Sequence, residues 1–223
     1  MTPRGDVALV AIRHAPTEWN REKRLQGHTD IPLSAAGRAT ARRWRLEPAW
    51  RTYRVVASPL RRARETAALL FPESEVAVDP RLIEMNFGDW EGRSLAELRD
   101  TPGSDAESRE SLGLDFRAPN GESPREVQQR LHPLLGEIAA AGQPTVIIAH
   151  KAVLRALLSL ATGWPMLGKP PVKLRADSAH VFRVASGGAL GIERMNVPLL
   201  DLENTIPSSG APAPAKSPGE DRS

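Results

Sequence analysis

The sequence predicts an α/β protein, a three-layer α/β/α sandwich with a mostly parallel central sheet, and three observations carry that expectation. Short apolar runs of strand length recur along the chain, capped helical patterns lie between them, and the runs are apolar throughout rather than alternating, as strands covered on both faces must be. The first run, Val7 to Ile12, gives way at once to Arg13. Ser34 then opens a helix as its N-cap. A second strand spans Arg54–Ala57, and Ser58-Pro59 reads as the cap and first-turn proline of a helix carrying Arg61, Arg62 and Arg64. Val76–Val78 is a further short strand. Ser123-Pro124-Arg125-Glu126 is a capping box, opening a helix with Val127, Leu131, Leu134 and Ile138 on one face and an expected kink at Pro133. Thr145–Ala149 is the next strand, followed by a helix from about Ala152 to Leu160 that stops at Gly163. His180–Val184 and Leu190–Met195 then form a hairpin across Ser186-Gly187-Gly188.

With 223 residues, 40% of them hydrophobic, the chain can bury one substantial core, and residues 1–203 read as a single domain. Residues 204–223, with four prolines and no large apolar side chain after Ile206, read as a disordered Pro/Ser-rich tail. Residues 100–121, with Pro102, Gly103, Gly113, Pro119 and Gly121, read as a long surface excursion. The absence of cysteine excludes disulfides, thiolate metal sites and a cysteine nucleophile. No apolar run approaches the roughly 18 residues of a membrane span, so no membrane partner and a cytoplasmic location are expected. The net charge of +3 conceals a strong asymmetry: residues 1–64 carry 14 Lys and Arg against 5 Asp and Glu, and residues 65–150 carry 7 against 16. A basic segment points to an anionic partner, which composition alone leaves open between a phosphorylated small molecule and nucleic acid.

In an open α/β sheet, ligands bind beyond the carboxyl ends of the strands. Here those ends deliver Arg13-His14, then Ser58 through Arg64, then His150-Lys151. Cations in the first turn of a helix oppose the positive end of its dipole, so an anion held there jointly by helix and arginines would offset them, and phosphate is the usual guest. The alternative is that these side chains turn into water. Glu84 precedes the loop Met85–Gly92 and, beside bulky apolar groups, could have a raised pKa and donate a proton; taken alone such a residue is more often a paired surface acid.

The strings AIRHAPTEWN, LQGHTDIPLS, ASPLRRARETA, RLIEMNFGDWEG, GES and VIIAHKAVLRAL, in this order and spacing, resemble the histidine phosphatase superfamily, the phosphoglycerate mutase-like branch 1 family, over about residues 6 to 196. The resemblance implies a phosphoglycerate mutase-like fold and places the family's phosphorylated nucleophile on His14. Arg13, Arg62 and a protonated His150 would complete the phosphate pocket, with Glu84 as acid and base. Asn20, Gln26 and Gly27 match its phosphate-side positions. Two residues depart from the pattern. Ala15 stands where glycine is usual and would bring a methyl group close to the phosphate, and Lys151-Ala152 replaces Gly-Gly, where the lysine adds a phosphate contact or crowds the pocket. No cofactor and no metal are implied, since no clustered carboxylates would hold magnesium. His28, His132 and His180 receive no assigned role.

The expected function is hydrolysis of a small phosphorylated metabolite through phosphohistidine, without metal. Phosphoglycerate mutase-type transfer and a non-catalytic phosphate-ligand binding protein are the alternatives. The mutase reading would need basic residues in the excursion, which offers only Arg109 and Arg117. A nucleic-acid partner is not expected, and a homodimer is left open.

Overall fold

The computed structural model describes residues 5–201. The tail expected from residue 204 lies outside the described residues. The chain begins with β1 (Val7–Arg13), α1 (Glu18–Arg21), α2 (Ala35–Arg43), β2 (Trp44–Arg45), β3 (Arg54–Ala57), α3 (Arg61–Leu70) and β4 (Val76–Val78). It continues through α4 (Leu95–Asp100), α5 (Ala106–Glu110), α6 (Pro124–Ala141), β5 (Thr145–Ala149) and α7 (Lys151–Thr162). It closes with β6 (Ser178–Val184), β7 (Leu190–Pro198) and β8 (Leu200–Asp201).

Six strands form one sheet in the order β4-β3-β5-β1-β6-β7, and β2 pairs with β8 in a second, two-stranded sheet. The pairs β3–β4, β3–β5 and β1–β5 are parallel, whereas β6 runs antiparallel to β1 and to β7. The apolar runs are continuous because both faces are covered. In β1, Leu9 and Ala11 face a core under α6 and α7, while Val10 and Ile12 face another under α2 and α3, and all four are fully buried. The mostly parallel α/β/α sandwich expected from the sequence is the fold observed.

Two local expectations are corrected. Ser58 does not cap α3; Leu60 is the N-cap residue, and no side chain of its own caps the helix there. Helix α7 begins at Lys151, with His150 as its N-cap residue, rather than at Ala152. Helix α6 passes through Pro133 as one continuous element. Pro133 lies exposed on its outer side, while Val127, Leu131, Leu134, Leu135 and Ile138 are buried on the inner side. At about 1.5 to 3 kcal/mol each, those five side chains outweigh the roughly 3 kcal/mol of an interior proline. The excursion is partly ordered, with Ala106 of α5 and Ala118 packing against Trp90 and Leu98 in a small separate core.

Candidate active site

The parallel register sets the first residues beyond three strands side by side. The His14 amide donates to Ala149 O at 3.0 Å and the Ser58 amide to Ile148 O at 3.0 Å, extending the ladder by one step past β1 and β3. The two histidines that follow β1 and β5 are therefore neighbours, with ring centroids 5.2 Å apart. His14 is buried, and its Nδ1 lies 2.8 Å from Ala15 O. With Nδ1–H donating to that carbonyl, the lone pair sits on Nε2. Burial first, then the Arg13 and Arg62 charges, holds its pKa well below 6.5, so the ring is neutral at neutral pH.

His150 corrects the expectation of an imidazolium. Burial, and after it His14, Arg62 and Arg13, lowers its pKa well below 6.5. Its Nε2 lies 2.6 Å from Ser58 Oγ, which accepts from the Leu60 amide at 3.3 Å. A hydroxyl already accepting from Leu60 can donate to Nε2, which puts the imidazole proton on Nδ1. Nδ1 is buried without a partner. The neutral ring thus has one N–H to offer.

Arg62 is fully buried in the first turn of α3. Its Nη1 donates to Thr29 O at 2.9 Å and its Nη2 to Gly27 O at 2.8 Å. Those carbonyls are held by Glu91, whose carboxylate accepts from the amides of His28, Thr29 and Phe87 and from Thr29 Oγ1. Gly27 meets that carboxylate at φ +48°, where an added Cβ would lie 1.7 Å from Glu91 Oε1. Thr66 ties this part of the site together, donating to Arg62 O and accepting from the Ala15 amide.

The helix-dipole expectation is met differently than anticipated. At α3 the Arg61 amide donates to Asp30 Oδ1 at 2.6 Å, while the exposed Arg61 side chain pairs with Glu65. At α7 the Ala152 amide donates to Glu84 Oε1 at 3.2 Å. Asp30 and the Glu84 carboxyl group, both from the protein, therefore supply the acceptors at these helix ends. Glu84 is buried, also accepts from the Met85 amide at 3.0 Å, and lies close enough to Arg62 and Arg13 to feel their charges. Burial nevertheless dominates and raises its pKa.

Asn20 shares a small cavity of about 150 Å³ with Arg13 and His14, and its Oδ1 accepts from the Thr17 amide in the capping box of α1. Gln26 is buried, with an unpartnered Oε1. Lys151 lines a larger cavity that also reaches Arg13. Ala15 is fully buried and packs with the core under α2 and α3. His28 is exposed, its Nε2 lying 2.9 Å from Glu84 O; His132 is exposed on α6, and His180 is buried within β6. Sequence reading missed Ser58 as the partner of His150, and missed Thr66 and Glu91 entirely.

Of the five buried side-chain atoms without a partner among the described residues, three are N–H groups on Arg13, Arg62 and His150, the residues that surround His14, and a fourth is Gln26 Oε1. A buried unpaired donor costs about 1 to 3 kcal/mol, so the N–H groups of Arg13, Arg62 and His150 suit an anionic acceptor that they would jointly bind; Gln26 Oε1, itself an acceptor, does not join them. Among the described residues no group of three or more His, Asp or Glu could hold a metal ion, and no helix is long and apolar enough to cross a membrane.

Together the fold and this pocket define a phosphatase enzyme. The chain belongs to branch 1 of the histidine phosphatase superfamily, whose sequence profile matches residues 9–197. It is 32% identical over 175 residues to a probable phosphoglycerate mutase GpmB of Klebsiella pneumoniae strain 342, covering 75% of this chain and 80% of the relative. It is 35% identical over 179 residues to a glucosyl-3-phosphoglycerate phosphatase of Mycobacterium tuberculosis strain H37Rv, covering 72% of this chain and 79% of the relative. Among solved structures, YhfR of Bacillus stearothermophilus superposes with a TM-score of 0.74 at 28% identity, covering 86% of this chain and 97% of that one. A mycobacterial glucosyl-3-phosphoglycerate phosphatase in complex with VO3 superposes with a TM-score of 0.66 at 30% identity, covering 86% and 99%.

Proposed function

We propose that this protein hydrolyses phosphomonoesters of small molecules through a phosphohistidine at His14, with no metal taking part. The observation that carries the proposal is the set of orphaned buried donors on Arg13, Arg62 and His150 around a neutral histidine whose Nε2 is free. Nε2 of His14 attacks phosphorus, the P–O ester bond breaks, and the departing oxygen takes the proton of the Glu84 carboxyl. A water molecule then attacks phosphohistidine and gives a proton to the Glu84 carboxylate. The P–N bond breaks, inorganic phosphate leaves, and both residues return to their starting states. Arg13 and Arg62 neutralise the equatorial oxygens, and His150 donates from Nδ1. Asn20, Gln26 and Gly27 border the phosphate.

Hydrolysis is favoured over mutase-type transfer by the state of the excursion. Arg109 pairs with Asp105, and Arg117 pairs with Glu126, so neither cation is free to retain a substrate. The test is turnover of p-nitrophenyl phosphate and a panel of phosphorylated metabolites in EDTA, beside His14→Ala. Phosphate release by the wild type and none by the variant is expected; equal rates would end the proposal.

A further inference from the structure

The larger cavity, about 510 Å³, opens beside the phosphate pocket and shares Arg13 with it. Its cationic lining residues are Arg13, Lys151, Arg155, Lys169, Lys173 and Arg175, and among the described residues no carboxylate lines it. Arginines elsewhere on this surface are commonly neutralised, as Arg81 is by Asp79 and Glu137, Arg125 by Asp115 and Arg194 by Glu47. Among the described residues these cations make one ion pair, the loose 3.7 Å contact of Arg175 with Asp177, and Glu84 acts on Arg13 and Lys151 from the neighbouring pocket. Lysine is rare in this chain, 5 residues against 25 arginines, yet three of the five line this one cavity. Two of these cations stand on a helix. Lys151 and Arg155 lie one turn apart on α7, and the Arg155 guanidinium stacks over the Trp164 ring at 4.7 Å. Trp164 is held in turn by its indole N–H donating to Leu167 O at 2.9 Å. Crowding these charges is unfavourable unless an anion relieves it, and Lys151 accordingly has a lowered pKa, through desolvation first and then Arg13 and Arg155.

We infer that this cavity is a second anion subsite, and that the substrate is a small phosphomonoester carrying a further anionic group, a carboxylate or a second phosphate. The volume lies in the usual range for small-molecule sites, which favours a compact ligand over a polymer. Sharing Arg13 places the second anion beside the reacting phosphate. This assignment rests on the phosphatase reading of the His14 pocket and deepens it.

The test compares kcat/KM for matched pairs of substrates: 3-phosphoglycerate against glycerol 3-phosphate, and fructose 1,6-bisphosphate against fructose 6-phosphate. A preference of about tenfold or more for the doubly anionic member of at least one pair is expected at low salt, shrinking as salt rises. Which pair shows it distinguishes a carboxylate from a second phosphate. The preference should fall about tenfold in the double variant Lys169→Gln, Lys173→Gln. It should persist in Arg51→Gln, an exposed cation in the turn preceding β3, at the other end of the sheet. Equal kcat/KM within both pairs, with His14-dependent turnover of p-nitrophenyl phosphate intact, would overturn the subsite and leave the phosphatase reading standing. No His14-dependent turnover of any substrate would overturn both.

Discussion

Replacing Gly27 by alanine should damage the phosphate pocket from outside it. At φ +48° an alanine pays about 1 to 2 kcal/mol of left-handed strain. Its Cβ would also lie 1.7 Å from Glu91 Oε1 and 2.4 Å from Cδ, so the carboxylate has to leave. Oε1 accepts from the His28 amide at 2.8 Å and the Phe87 amide at 3.2 Å, and bonds to a charged acceptor contribute about 1.5 to 3 kcal/mol each. The sum is about 4 kcal/mol or more. Gly163→Ala is the control: its φ is +71° but nothing lies within 4 Å, so strain alone applies, about 1 kcal/mol. For a chain of 223 residues, thermal unfolding should fall by about 8 to 16 °C for Gly27→Ala and about 2 to 4 °C for Gly163→Ala. Because Gly27 O and Thr29 O hold the Arg62 guanidinium, kcat/KM should drop about a hundredfold in the first variant only. Equal melting shifts for the two variants, with kcat/KM for Gly27→Ala within about threefold of wild type, would refute the reasoning.

The remaining predictions concern protons. Glu84→Gln should slow hydrolysis of an alkyl phosphate about a hundredfold and that of p-nitrophenyl phosphate much less, because nitrophenolate leaves without a proton. In the wild type the alkyl phosphate rate should decline as pH rises through the raised pKa of Glu84, a limb that the variant's pH profile should lack. Ser58→Ala frees His150 Nε2 to take the proton, and kcat should fall about tenfold with KM little changed, as steady-state kinetics would report. Acid should destabilise the protein. His14 and His150 lie well below 6.5 and His180, fully buried, is lowered to about 4, so their contribution is complete above about 6.5 and is lost as pH falls. His180 alone accounts for roughly 2 to 3 kcal/mol, whereas Glu84, raised in the fold, works in the opposite direction and offsets part of the loss. The melting temperature should therefore decline from pH 7 to 4.5 and decline less in inorganic phosphate; a flat profile would contradict these assignments.

Much of the fold was legible because its signals are local. Continuous apolar runs identify strands covered on both faces, and the capping residues Ser34 and Ser123 stand where the sequence places them. The grouping of His14, Ser58 and His150 followed from a rule about strand ends, which needs no side-chain detail. What escaped reading depends on partners far away in the chain. Ser58-Pro59 has the signature of a helix start, but the hydroxyl's partner stands 92 residues on. Glu91 supports a loop 62 residues earlier, and nothing in its own surroundings announces that. The helix-dipole reasoning expected a bound anion at α3 and α7, and side-chain oxygens of Asp30 and Glu84 accept from the amides there. The basic cavity joins one helix to the loop after it, and isolated lysines in a sequence do not reveal that they share a wall.

The proposed hydrolysis turns on a covalent intermediate at one nitrogen. Rapid acid-free quenching during turnover of a phosphorus-labelled ester, followed by peptide mapping, measures this directly. The account predicts an alkali-stable, acid-labile phosphoryl group on His14 that forms and decays at the rate of turnover and is absent from His14→Ala. Turnover with no label on His14, or with label on another residue, would contradict it.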